Sequence, residues 1–543
     1  LTQIETFNIS ARLEHWADQK PESVALIEMR SGRQRTFKEL EQESSRLASG
    51  LIQFGMKSGE RVLLMVPYGI DFVTLTFSLF KAGLVPVLID PGLGKKNVLK
   101  CIKQVQPHGI IAIPLAHAIK KIFPGTFKSI KHNVTVGARW FWGGSTLNKL
   151  RHSGGTDFKM AAMGKDHPAA ILFTSGSTGP AKGVLFSHGI FNHQVNILQE
   201  QFNIQPDETD LPTFPLFGLF SSGLGMTSII PDMDSTKPAR VDPKNIIDPI
   251  QDFKISSSFG SPALWDTVSQ YCLDQKIQLP TLKRIIMAGA PVSGDLLARF
   301  ETIVDKDCKI YTPYGATEVL PVSLIDRREI LDETWPLSNQ GKGTCVGHPI
   351  PGVEIKIIEI SDQPILKLQD IKESDTNIVG EIVVRAEWAT RTYFNRQDLT
   401  QLAKIEDGNS FWHRMGDLGR LDEKNRLWFY GRKNHRVITE LETLYTIPCE
   451  AIFNQHPDVK RSALVGTGSK TEPVIIIEPS NLERIKSQAT RQKFTAELLE
   501  CGAKSSLTQS IKKVLFHTEF PVDVRHNAKI FREKLSLWAE SQK

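Results

Sequence analysis

Ala-Ala-Ile-Leu-Phe-Thr-Ser-Gly-Ser-Thr-Gly-Pro-Ala-Lys-Gly-Val-Leu-Phe-Ser-His, residues 169–188, decides how the chain is read. The apolar run Ala170–Phe173 predicts a buried strand, and Val184–Phe186 predicts a second one. Between them, Thr174, Ser175, Ser177 and Thr178 supply hydroxyls, and Lys182 supplies an ammonium group. Gly176 and Gly179 free the backbone to take positive φ and turn its amides toward a common point. Anionic oxygens are the natural guests of such a loop. The P-loop of kinases and ATPases does not fit, because it needs Gly-Lys followed by Ser or Thr at the mouth of a helix. Here Lys182 is followed by Gly183 and the chain continues as a strand.

Working outward, Thr36-Phe-Lys-Glu39 forms a capping box, and Leu40, Leu47, Ala48 and Leu51 fall on one helical face before Gly55. Arg61–Val66 reads as a strand, Asp71–Ala82 as a helix and Val85–Ile89 as a strand, an alternation that predicts an α/β fold with a parallel sheet. Arg284–Pro291 and Tyr311–Glu318 each read as a strand ending in a loop. Ligands of such sheets bind beyond the carboxyl ends of the strands. From Gly380 the pattern turns to short strands of period two, and Gly431-Arg-Lys-Asn434 punctuates the chain before a final stretch of about a hundred residues, enough for a small domain. Two aromatic stretches, Thr213–Phe220 and Ser258–Trp265, read either as core or as an apolar acyl pocket in which glycine leaves room for the chain.

With 543 residues, at least two domains are expected. The net charge of +6 is weak for this length, and no run of five or six basic residues marks a nucleic-acid or membrane patch. The six cysteines lack any metal-binding spacing, which points to reduced thiols in a cytoplasmic protein. Asp71, Lys81 and Pro86 interrupt the longest apolar stretch, so no transmembrane segment is expected, nor a signal peptide.

The segment Thr174–Gly183 resembles the nucleotide signature of the adenylate-forming superfamily, which includes acyl-CoA synthetases, peptide-synthetase adenylation domains and luciferases. That resemblance implies a large N-terminal adenylation domain, residues 1–432, built of packed α/β sheets and a β-rich subdomain. A small mobile α+β lid domain, residues 433–543, would follow. It also implies ATP and Mg2+ as cofactors. Thr174, Ser175, Gly176, Ser177, Thr178, Gly179 and Lys182 would hold the β- and γ-phosphates. Gly289, Ala290 and Pro291 would line the base pocket, and Tyr314, within Tyr314-Gly315-Ala316-Thr317-Glu318, would stack on adenine. Thr317 would touch the α-phosphate, and Glu318 would ligate the metal. Asp417, fifteen residues before Arg432, would accept from the ribose hydroxyls with Arg432 as its partner. Lys529 would swing in with the C-terminal domain to stabilise charge during adenylation, with Asn434 at the hinge.

Phe214–Phe220 carries no acid to hold an amino group, which argues against an amino-acid substrate. Residues 435–445 lack the glycines usual in CoA ligases, and Asn527-Ala528 replaces the usual Ser-Gly or Thr-Gly before the late lysine. Ile89–Lys96, Gly260–Trp265, Pro313–Val322, Leu444–Thr446 and Val524–Lys529 together resemble the β-lactone synthetases of bacterial long-chain olefin biosynthesis. That branch adenylates a 3-hydroxy fatty acid, whose own hydroxyl then closes on the acyl carbon. The partner expected is thus a small-molecule fatty acid and no nucleic acid, with room for association with other lipid-pathway enzymes. A fatty acyl-CoA or acyl-AMP ligase and an inactive nucleotide-binding protein stay open as alternatives. His188 and His193 follow the phosphate loop and read as structural histidines rather than as a base for ring closure.

Overall fold

The structure, a computed structural model, describes residues 6–174, 181–468, 471–523 and 529–542. Helix Phe37–Gln53 shows how closely local chemistry sets an element. Thr36 Oγ1 accepts from the Glu39 amide at 3.1 Å, and the Glu39 carboxylate accepts from the Thr36 amide at 2.8 Å. Leu40, Leu47, Ala48 and Leu51 are fully buried on its inner face, and Gly55 turns the chain away at φ 99°.

A seven-stranded sheet runs in the order 145–146, 132–135, 109–112, 61–65, 85–89, 168–174, 182–187. Its pairs are parallel until the last, where Pro168–Thr174 and Lys182–Ser187 run antiparallel with Thr174 opposite Lys182. The opening stretch is therefore a hairpin, as its two apolar runs imply. Residues 175–180, with Ser175, Gly176, Ser177, Thr178 and Gly179, lie outside the described residues.

A fourteen-stranded sheet adjoins it. Thr209–Pro212, Ser257–Gly260, Arg284–Met287 and Lys309–Ala316 are parallel neighbours near its centre. Arg284–Met287 is buried along its whole length, because parallel strands are covered on both faces. From Val319–Asp326 onward the pairing becomes antiparallel through 344–349, 427–432, 410–421, 380–385 and 354–358. This is the β-rich part that the period-two stretch predicts. Leu26, Phe37, Phe191 and Val384 belong to one core that joins the two large sheets.

Past residue 437 a three-stranded sheet, Val459–Thr467, Glu472–Pro479 and Lys513–Phe516, packs against Thr446–Phe453, Gln488–Ala503 and Arg532–Glu540. It has its own apolar clusters, around Phe453, Phe494 and Leu498 and around Ile476, Phe520 and Leu535. Among the described residues, no helix is long and apolar enough to cross a membrane. The six cysteines are free, five of them buried.

Candidate active site

The four central parallel strands end at one place. Thr213 and Phe214, Ser261, Ala288–Pro291, and Thr317 with Glu318 follow their carboxyl ends and line a single cavity of about 1490 Å3. Gly289, Ala290, Pro291, Tyr314, Gly315, Ala316, Thr317, Glu318, Lys182, Asp417, Arg432 and Lys529 all line it. The structure thus brings together sequence-predicted residues spread over some 350 positions. The Thr174 backbone pairs with Lys182 at the hairpin mouth.

The fifteen-residue interval between Asp417 and Arg432 has a simple cause. The strands 410–421 and 427–432 form a hairpin, and its register sets Asp417 directly opposite Arg432. Such opposed residues are close neighbours on the sheet. Arg432 Nη1 lies 2.9 Å from Asp417 Oδ1, off the line of a hydrogen bond, and also donates to the Met415 carbonyl at 3.2 Å. The Tyr314 hydroxyl donates to Asp417 Oδ2 at 2.6 Å. Asp417 Oδ1 is left buried without an aligned donor among the described residues. Burial pushes the Asp417 carboxyl up, against the opposing pull of Arg432, the Tyr314 hydroxyl and the Lys529 ammonium. An orphaned buried acceptor beside a fixed cation is what a hydroxyl donor of a ligand satisfies.

Glu318 sits in a second cluster. Its carboxylate accepts from the Tyr393 hydroxyl, and its carbonyl accepts from the Thr390 amide at 2.8 Å. Burial alone would raise this carboxyl, but the neighbouring His413, the Tyr393 hydroxyl and the Lys404 ammonium outweigh it and hold the group below the usual carboxylate range. Lys182 Nζ lies 4.9 Å from the centre of the Tyr393 ring, and burial lowers its pKa. Behind them, Lys404 is pushed down to about 7 by burial and donates to the Thr390 carbonyl. His413, pushed down to about 3 by burial, packs its Nδ1 3.2 Å from the Ala403 carbonyl.

Tyr393, Lys404 and His413 are absent from the sequence-based set. Tyr393 reaches the site because residues 392–394 lie along strand Lys182–Ser187, the outgoing strand of the hairpin that begins at Pro168. Leu185 donates to the Thr392 carbonyl at 3.3 Å and Phe394 to the Gly183 carbonyl at 2.8 Å. No local spacing announces a contact across some 200 residues; the only signal is an aromatic residue just after the buried strand 380–385.

At the C-terminal side, the Lys529 carbonyl accepts from the Asp523 amide at 3.0 Å. Arg532 clamps Glu450 with contacts of 2.8 and 2.6 Å, tying the segment after Lys529 to helix Thr446–Phe453. Asn434 lies in a short turn, Lys433–His435, at the cavity wall, and Lys433 Nζ donates to Glu381 at 3.1 Å.

The other end of the cavity is apolar, with Phe186, Phe191, Phe214, Phe217, Phe220 and Phe259 in its wall. Phe217 and Phe259 stack with their rings 9° from parallel. The aromatic stretches therefore serve both as core and as lining. Of the two readings that the sequence leaves open for the glycines of these stretches, the contacts favour packing. A Cβ on Gly218 would fall 2.0 Å from the Tyr68 hydroxyl, and one on Gly260 would fall 2.6 Å from Trp265 Nε1. They leave room for protein side chains, not for a ligand. His188 is buried against Phe80, its Nδ1 accepting from the Ile9 amide at 3.2 Å, and His193 pairs with Glu387 at 3.1 Å. Neither lines the cavity.

A family model described as "AMP-binding enzyme" matches residues 13–394. The chain belongs to the AMP-binding enzymes. The sequence of this AMP-binding enzyme is 42% identical to the olefin beta-lactone synthetase of Xanthomonas campestris, over 99% of this chain and 98% of that one. It is 40% identical to the olefin beta-lactone synthetase of Stenotrophomonas maltophilia, over 98% of each. Its fold is similar to the crystal structure of ATP-bound MatB from Rhodopseudomonas palustris, with a TM-score of 0.79 at 20% identity over 99% of both chains. The AMP-binding enzyme thus shares its α/β architecture with that ATP-bound protein.

Proposed function

We propose that this AMP-binding enzyme uses ATP to activate a long-chain 3-hydroxy fatty acid as its acyl adenylate and closes that intermediate to a β-lactone. The observation that carries the reading is the single cavity, charged at one end by Lys182, Glu318, Asp417, Arg432 and Lys529 and walled by phenylalanines at the other. The two β-lactone synthetases at 40 and 42% identity support the choice of acid and product.

In this reading Thr174–Lys182 hold the β- and γ-phosphates. Gly289-Ala290-Pro291 and the Tyr314 ring receive the base, and the open Asp417 Oδ1, fixed by Arg432, accepts from the ribose. Thr317 touches the α-phosphate. Magnesium, when bound, neutralises triphosphate charge; Glu318 would hold it, since a lone carboxylate suits an ion that keeps waters and takes substrate phosphates as further ligands. A carboxylate oxygen of the acid attacks the α-phosphorus, the bond to the bridging oxygen breaks, and pyrophosphate leaves. Lys529 stabilises the negative charge that builds on the α-phosphate oxygens. Residues 433–543 act as the lid that carries Lys529, hinged at Asn434.

The 3-hydroxyl oxygen then attacks the acyl carbon, loses its proton, and AMP departs with the electrons of the anhydride bond. Ring strain opposes this step. Against it, an intramolecular nucleophile held close lowers a barrier by up to about 7–11 kcal/mol in favourable cases. Dependence on ATP makes the cytoplasm the expected compartment, and a reactive lactone makes association with the enzyme that consumes it chemically sensible.

Incubation with ATP, magnesium and a long 3-hydroxy acid, with no thiol present, is expected to yield AMP and the lactone in equal amounts. CoA should not increase the rate. AMP formation without lactone, or a product that appears only with CoA and equally from acids lacking the 3-hydroxyl, would overturn the lactone reading in favour of a thioester ligase.

A further inference from the structure

Residues 91–156 contain nine lysines and two arginines and no aspartate or glutamate. The rest of the chain holds 55 basic and 60 acidic residues, so all of the net positive charge comes from this one segment. Spacing hides it from a search for basic runs. Among the described residues, only Arg151 of these eleven cations makes an ion pair, with Glu43 and Asp71. Cations left without counter-charges in one lobe attract anionic surfaces.

The same segment carries exposed apolar side chains. Leu115, Ile122 and Phe123, on and just after helix Pro114–Ile122, are 67, 68 and 44% exposed. Trp140 and Phe141, in the loop before strand 145–146, are 60 and 76% exposed. The loop and the helix are one structure, because buried Trp142 stacks on His117 with the rings 11° from parallel and donates to Thr135 Oγ1 at 2.9 Å. Lys120 ties the helix to strand 132–135 by donating to Asn133 Oδ1 at 2.6 Å. Lys121, Lys128, Lys131 and Arg139 of the same segment are exposed, Lys121 on this helix and Arg139 beside Trp140 in the loop. Scattered exposed apolar residues need no explanation, but five large ones on two joined elements of a segment rich in cations do.

This corner is continuous with the cavity: Leu115, Ala116 and Ile119 of the same helix line its wall. We propose that this helix and loop dock the enzyme on the surface of a bilayer bearing anionic headgroups, with Trp140 and Phe141 entering the interface and the lysines meeting the phosphates. Aromatic side chains flanked by cations are the composition that binds in the headgroup region without spanning the membrane. An apolar acid dissolved in that bilayer then has a route along the helix into the cavity without crossing water. Delivery of the acid rests on the acyl-chain reading of the cavity; docking itself does not.

The test is flotation of the full-length chain with vesicles, read without turnover. Binding to phosphatidylcholine mixed with phosphatidylglycerol is expected to exceed binding to phosphatidylcholine alone by about tenfold or more, and to fall when salt rises from about 0.1 to about 0.5 M. Trp140→Ala with Phe141→Ala, and separately Lys121→Glu with Lys131→Glu, should each cut binding several-fold. Both variants should keep ATP–pyrophosphate exchange with a short, water-soluble acid, which shows that they fold. Equal binding to neutral and anionic vesicles, unchanged binding by both variants, or a patch that serves only to join copies of the chain or to hold an acidic protein would overturn the proposal. Loss of lactone formation with vesicle binding intact would count against the function proposed above and leave the docking surface standing.

Discussion

Lys529→Ala is expected to lower acid-dependent exchange of pyrophosphate into ATP by about two to three orders of magnitude, the usual loss when one preorganised charge-stabilising donor is removed. ATP binding should change little. The reason is positional. Lys529 lies on the cavity wall and its charge is felt by Asp417, yet its segment is held from the C-terminal side by the Val522–Ile530 bridge and by the clamp of Arg532 on Glu450 of helix Thr446–Phe453. The other residues proposed to hold the nucleotide come from the two large sheets and do not need it. An interaction made mainly in the transition state affects turnover more than ground-state affinity. Lys529→Arg should not restore the rate fully, because a planar fork does not replace a compact ammonium. Full exchange activity in Lys529→Ala would remove the lysine from the chemistry, and a parallel loss of ATP affinity would make it a ground-state contact.

Asp417→Ala should do the opposite, weakening ATP binding first. The substitution strands Arg432, which is otherwise paired at 2.9 Å, and leaves the Tyr314 hydroxyl without its acceptor. Breaking a fully buried ion pair from one side typically costs about 3–5 kcal/mol, and the cost here is smaller because the Arg432 side chain left behind is 32% exposed. Part of that should appear as a lower unfolding free energy in denaturant and part as a rise in the Kd for ATP of at least about tenfold. Asp417→Asn, which keeps the shape and one acceptor, should recover most of the stability and less of the affinity. An Asp417→Ala protein with normal affinity for ATP would show that the open carboxylate oxygen does not meet the ribose.

The sequence was legible wherever a short stretch carries its own physics. The two apolar runs around residues 174–182 read correctly as paired strands because burial of both faces demands apolar runs, and Thr36 with Glu39 marks a helix start by hydrogen bonds local to four residues. Asp417 and Arg432 are legible as partners only through the family resemblance; the hairpin register that sets them opposite each other shows only in the fold. Tyr393, Lys404 and His413 were not, since their meeting with Glu318 depends on how strands far apart in the chain are laid together. Gly218 and Gly260 were ambiguous for a related reason: the space beside a glycine belongs to whichever side chain the fold brings there, here Tyr68 and Trp265. The basic corner was missed because charge that is spread over sixty residues becomes a surface only when helix 114–122 and the loop carrying Trp140 are packed together.

The most direct test of acid activation by this site is to supply a 3-hydroxy acid with both carboxylate oxygens labelled with heavy oxygen, together with ATP and the intact enzyme, and to weigh the products. Attack of the carboxylate on the α-phosphorus predicts one labelled oxygen in AMP, one in the lactone carbonyl and none in pyrophosphate. Unlabelled AMP, or label recovered in phosphate released from the γ-position, would contradict adenylation of the acid and with it the assignment of the cavity.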